Sequence, residues 1–125
     1  MQPNLDSQKP LFMSIAEWLE DTILADIYGE GTQVPSITDI SVQYNLNPAT
    51  ALKGVNLLVD SGFLYKKRGM GMFVAQGARL KILEKRQQQF SDDYIDPLVG
   101  EAKQLEISCA DLKNMVERRY NNYDN

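Results

Sequence analysis

Lys66-Lys67-Arg68-Gly69-Met70-Gly71 places three consecutive cations beside two glycines. Cations of this kind hold phosphate oxygens, and the glycines allow a tight turn between Phe63-Leu64-Tyr65 and Met72-Phe73-Val74, whose alternation is that of strands. Upstream, Asn47-Pro48-Ala49-Thr50 leads to Lys53. The Thr50 hydroxyl can donate to phosphate or its methyl can meet a thymine methyl, and the Lys53 ammonium reaches phosphate or guanine. A basic ribbon tip beside a helix that exposes small polar residues suits double-stranded DNA. Catalysis finds no comparable set. The chain has no histidine, which removes the commonest general base and metal ligand. Its single cysteine, Cys109, lacks a base to activate it and reads as a small buried residue after a helix cap. The glycines at 69 and 71 do not open a helix after a strand, so they form a hairpin tip and not a nucleotide cradle. Asp92-Asp93-Asp96 reads as a helix start. The sequence therefore predicts no enzyme, no metal and no cofactor.

The elements that position these residues are marked in residues 33–74. Pro35 bars helix on its own N-terminal side and Ser36 can cap Asp39, so a short helix runs from Ile37 to Tyr44 with Ile37, Ile40, Ser41 and Tyr44 on one face. Asn47 is a favoured cap and Pro48 suits the first position of a second helix. Ala51, Leu52, Val55, Leu58 and Val59 should face a core there, with Thr50, Lys53, Gly54 and Asn56 outward. Gly62 ends it in the left-handed conformation. Two helices joined by a sharp corner and followed by a hairpin make a winged helix-turn-helix.

Pro35-Ser36, Ile40-Ser41, Asn47-Pro48-Ala49-Thr50, the run from Leu57-Leu58 to Ser61-Gly62-Phe63-Leu64, and Gly69-Met70-Gly71-Met72-Phe73-Val74 resemble the DNA-binding domain of GntR-family bacterial transcription regulators. The length and short helical tail resemble the YtrA-like subfamily. The resemblance implies DNA contacts from Ser36, Thr38, Asn47, Ala49, Thr50, Lys53, Lys66, Lys67, Arg68, Gly69 and Gly71. Thr38 stands where the family usually carries an arginine, Ala49 replaces a usual asparagine or threonine, and Met72 replaces the wing threonine. These departures imply a different sequence preference or weaker binding. The resemblance further implies a dimeric repressor of a neighbouring operon, such as one for a transporter, acting on a pseudo-palindromic operator and answering to a small-molecule effector. A winged module that has kept the fold for protein partners and lost DNA binding is the alternative, motivated by Thr38 and the acidic balance.

The net charge of −4 conceals a strong asymmetry. Residues 1–52 carry one cation against seven anions, residues 53–86 carry eight against two, and the remainder four against eight. Local field steers a polyanion within about a Debye length of ~8–10 Å, so the basic middle decides. No long apolar run or secretory leader is evident, and a lone cysteine fits a reducing compartment, so the expected location is the cytoplasm, away from membranes.

The expected fold is mainly helical: a loose N-terminus over residues 1–9, the winged helix-turn-helix over 10–76, and a helical dimerisation tail over 77–125. Pro10 opens a first helix through about Tyr28, stopped by Gly29-Glu30-Gly31 and anchored by Trp18. Leu80, Leu83, Phe90, Tyr94, Leu98 and Leu105 step by helical spacing along the tail and form the expected dimer stripe. Ser91-Asp92-Asp93 reads as a cap and acidic first turn, and with Pro97 inside the pattern it predicts a break or kink between Ser91 and Pro97. A last helix starts after Ser108, with Asp111 completing a capping pair, and residues 121–125 should fray.

Overall fold

The computed structural model describes residues 2–5 and 8–123. Met1, Asp6 and Ser7 of the expected loose N-terminus, and Asp124 and Asn125 of the expected fraying end, lie outside the described residues. The chain divides into two compact units, Met1–Lys85 and Arg86–Asn125.

In the first unit, helix α1 (Leu11–Leu24) presents Ile15, Trp18, Leu19 and Ile23 inward, and the Trp18 ring meets Tyr44 edge-on at 5.4 Å. It ends four residues before Tyr28, where the sequence reading placed its end. Asp26 takes a left-handed conformation (φ 59°), and the Ile27 amide donates to the Thr22 carbonyl at 2.9 Å, closing the helix without a glycine. Helix α2 (Ile37–Tyr44) has the reciprocal cap that Ser36 and Asp39 predict: the Asp39 amide donates to Ser36 Oγ at 3.0 Å and the Ser36 amide to Asp39 Oδ2 at 3.3 Å. Helix α3 (Pro48–Asp60) begins with the Ala49 amide donating to Asn47 Oδ1 at 2.8 Å and ends with Gly62 at φ 80°.

Strands β1 (Leu64–Lys67) and β2 (Gly71–Val74) pair antiparallel, with Leu64 opposite Val74 and Tyr65 opposite Phe73. The preceding loop extends this ribbon in a way the sequence did not signal. The Val34 amide donates to the Met72 carbonyl, and the Val74 amide to the Thr32 carbonyl, so β2 is bonded along both edges. One core unites α1, α2, α3 and the hairpin through Val34, Ile40, Ala51, Val55, Leu58, Phe63, Leu64 and Val74.

Helix α4 (Ala78–Phe90) contributes its first turns to the same core. Ala78 and Ile82 are fully buried one turn apart, whereas Leu80 is exposed and Leu83 half-buried. Lys85 Nζ lies 2.6 Å from Oε2 of the buried Glu20, and Arg79 Nε donates to the Leu24 carbonyl at 3.1 Å.

In the second unit, a π-helical turn (Ser91–Ile95) leads into α5 (Asp96–Gln104) without a break. Ser91 is thus helix interior and not the cap expected of it. Proline at 97 has no amide to donate and its ring would crowd the carbonyl four residues back. Widening the turn, with the Asp96 amide donating to the Ser91 carbonyl, relieves both problems. Glu106, left-handed at φ 57°, turns the chain into α6 (Cys109–Asn122), capped by Ser108 Oγ accepting from the Asp111 amide at 3.1 Å. Asn121 and Asn122 are still helical or at its edge, short of the fraying expected from residue 121. Cys109 is exposed, contrary to the buried reading. Among the described residues of this unit, Ala102 alone is buried. No helix among the described residues is long and apolar enough to cross a membrane.

Candidate nucleic-acid interface

Helix α3 sorts its side chains by what α1 allows. Its buried stripe is Ala51, Gly54, Val55 and Leu58. Gly54, expected to face outward, is instead where α1 crosses: a Cβ added there would stand 2.7 Å from the Phe12 carbonyl oxygen and 3.0 Å from Ile15 Cβ. Leu52, expected in the core, is correspondingly turned out and 44% exposed. The shift of the stripe by a fraction of a turn follows from the glycine, because the only position slim enough for a second helix backbone sets which side meets it.

Of the residues singled out on this helix, Asn47 and Ala49 are exposed and Thr50 is half-buried. Asn47 is occupied by capping through its Oδ1. Lys53 is exposed, but its ammonium lies 4.0 Å from the centroid of the Phe12 ring, a cation–π contact worth about 0.5–1 kcal/mol at an exposed site. Phe12 therefore holds the lysine at the edge of the helix pair. Ser36 and Thr38 sit exposed at the start of α2, with Ser36 engaged in its cap.

The wing places Lys66, Lys67 and Arg68 in solvent. Strand alternation sends Lys66 and Lys67 to opposite faces of the ribbon. Lys67 shares its face with the stacked pair Tyr65 and Phe73, and its ammonium lies 4.8 Å from the Phe73 ring centroid. Lys66 shares the other face with Met72, which packs on the core. Gly69 (φ 77°) and Gly71 (φ 116°) carry the turn through conformations that side-chain-bearing residues rarely adopt. Gln33, unmarked in the sequence, braces that turn: its Nε2 donates to the Met70 carbonyl at 2.6 Å.

Ion pairing separates the cations of the first unit into two groups. Lys9, Arg79 and Lys85 are paired with Glu17, Asp26 and Glu20. Lys81 of α4, together with Lys53, Lys66, Lys67 and Arg68, makes no ion pair among the described residues. Four of these five uncompensated charges lie on α3 and the wing, whereas Arg79 and Lys85 of α4 are used to dock that helix. No group of histidine, cysteine, aspartate or glutamate capable of holding a metal occurs among the described residues.

No protein-family model matches the chain. Among curated proteins it is 22% identical over 112 residues to the HTH-type transcriptional regulator YhcF of Bacillus subtilis, covering 90% of this chain and 91% of that one. It is 32% identical over 68 residues to the probable fructoselysine utilization operon transcriptional repressor of Escherichia coli, a match to 54% of this chain but 28% of the longer relative. Among solved structures, a putative GntR-family regulator from Bacteroides thetaiotaomicron superposes with a TM-score of 0.74 at 28% identity, covering 90% of this chain and 95% of the other. The AraR DNA-binding domain in complex with operator ORE1 superposes with a TM-score of 0.53 at 25% identity over 60% of this chain and 94% of that one. These relatives are transcription regulators and not enzymes. With its helix pair and hairpin, the chain has a winged helix-turn-helix fold similar to that of GntR-family transcription regulators.

Proposed function

We propose that the chain is a sequence-specific DNA-binding transcription regulator that acts as a homodimer and represses a neighbouring operon, with α3 in the major groove and the wing on the flanking backbone. The observation that carries this reading is the uncompensated charge of Lys53, Lys66, Lys67 and Arg68 in a unit whose Lys9, Arg79 and Lys85 are paired. Unpaired surface cations on a slim capped helix and a ribbon tip meet phosphates without first breaking an internal bond. The operator complex of the AraR domain supports the same use of the fold. Ser36, Thr38, Asn47, Ala49, Thr50, Gly69 and Gly71 complete the proposed surface, the first three through backbone approach at helix starts and the glycines by shaping the wing.

Dimerisation is proposed for the second unit. Phe90, Tyr94, Leu98 and Leu105 are exposed, as are Met115, Val116 and Tyr120 of α6. An open groove of about 960 Å³ is lined by Leu98, Leu112, Met115, Val116, Tyr120 and Tyr123, with Arg118, Arg119 and Asn122 also on its walls. With Ala102 as the only buried residue among those described, this unit has too little core to hold its helices together, and a contiguous apolar surface of this kind marks an interface. A second copy is the simplest cover, and two-fold pairing sets half-sites about one duplex turn, ~34 Å, apart. An effector would find the same groove.

Gel-shift titration over a range of salt concentrations tests the DNA reading. Each phosphate contact contributes roughly 0.9 to the logarithmic salt slope. Because Lys66 and Lys67 lie on opposite faces of the ribbon, replacing Lys66, Lys67 and Arg68 together by alanine should lower the slope by about 1.8, the value for two contacts. Unchanged affinity and slope would remove the wing from the interface.

A further inference from the structure

Ala49 and Leu52 lie three residues apart on the outward side of α3, both exposed. Leu52 is 44% exposed although the helix has a well-filled inward stripe. Residues at this spacing are surface neighbours, so the two make one apolar strip along the first turns of the helix. The strip starts one residue after the N-terminal residue Pro48, at the end of the helix that enters a groove.

The polar complement of the strip is sparse. Helix α3 contains no arginine, and its single cation, Lys53, rests over the Phe12 ring at 4.0 Å. The fork that pairs with guanine O6 and N7 is therefore missing from this surface. What the strip offers a base pair is methyl and methylene surface, and the major groove has one matching feature, the C5-methyl group of thymine. The unpaired cations of the wing supply the attraction to the duplex that such an apolar strip cannot supply for itself.

We propose that Ala49 and Leu52 read thymine methyl groups, so that T·A pairs and not guanine contacts fix the sequence preference at the centre of each half-site. The proposal rests on the DNA-binding reading given above. Leu52 is the principal specificity-determining residue and Ala49 its smaller neighbour.

The test uses the full chain and a duplex selected by it from random DNA. Each thymine is replaced in turn by deoxyuridine, which removes the methyl and leaves base pairing intact, and binding is followed by fluorescence anisotropy at one salt concentration. At one or two positions per half-site, affinity should fall about four-fold, the factor for withdrawing one methyl-sized group from an apolar contact. Leu52→Ala should abolish the sensitivity at one of those positions and leave the salt slope unaltered. Leu52→Met, of similar volume, should retain it, and Trp18 fluorescence verifies that both variants are folded. Tight binding with no deoxyuridine effect, or the same sensitivity in Leu52→Ala, overturns the thymine reading while leaving DNA binding in place. Failure of the chain to select any duplex overturns the regulator reading and this one with it.

Discussion

Gly54 is the position where the structure makes the sharpest quantitative demand. A Cβ placed there meets the Phe12 carbonyl oxygen at 2.7 Å and two atoms of Ile15 at 3.0 Å. The first of these is backbone, so relief requires α1 and α3 to move apart by about half an ångström along their crossing. Overpacking of this kind costs about 1–3 kcal/mol, and a rigid backbone obstacle puts the cost in the upper half of that range. Against it stands the gain of about 1 kcal/mol that alanine brings to a helix interior over glycine. Gly54→Ala should therefore destabilise the first unit by about 1–2 kcal/mol, lowering its melting temperature by roughly 5–15 °C. The lone tryptophan, Trp18, lies buried in α1, so its fluorescence reports this unit specifically. Gly100 is the internal control. It lies in α5 with no atom within 4 Å of an added Cβ, and Gly100→Ala should be neutral or stabilising by about 0.5–1 kcal/mol, followed by far-UV circular dichroism. If Gly54→Ala raises the melting temperature as its control does, the close crossing of α1 and α3 is not as described.

Two further outcomes follow from local geometry. Asn47→Ala removes the acceptor that caps the Ala49 amide at 2.8 Å and should cost about 1 kcal/mol in thermal unfolding, with Asn47→Asp nearly neutral because it keeps the acceptor. In the second unit, Tyr94→Glu places a charge in the exposed apolar stripe and should raise the dimer dissociation constant by at least ten-fold in sedimentation equilibrium; a chain that is monomeric before the change refutes the dimer reading.

Helix starts were legible in the sequence because they are written in side-chain chemistry. Ser36 with Asp39, Asn47 with the Ala49 amide, and Ser108 with the Asp111 amide form local hydrogen bonds that need no tertiary context, and all three caps are present, although the one read at Ser91 is not. Helix ends were legible less evenly: α2 ends at Tyr44 as expected, on the left-handed Asn45. Gly62 marks the end of α3, but α1 and α5 close on Asp26 and Glu106, which tolerate the left-handed conformation without advertising it. Pro97 announced a disturbance correctly, yet a proline has several remedies, and the choice of a π-helical turn over a break depends on backbone geometry that composition does not encode. The third edge of the ribbon, made by Gly31 to Val34, uses main-chain groups almost alone and was invisible for that reason.

The exposure of the wing cations was legible and the inward face of α3 was not, and one cause lies behind both. A lysine or arginine with no ion-pair partner stays in solvent wherever its element turns, so Lys66, Lys67 and Arg68 could be placed from type alone. Helix α3 is apolar on most sides, with Ala49, Ala51, Leu52, Val55, Leu57, Leu58 and Val59 within eleven residues, and periodicity cannot choose among such faces. The choice is made by Gly54, whose missing side chain admits the backbone of α1 and so rotates Leu52 away from the core. Had a larger residue stood at 54, α1 could not approach there, and the stripe through Leu52 would compete for the interior. The glycine that fixes how the first and third helices cross thereby also decides which side chains α3 offers to the duplex proposed as its partner.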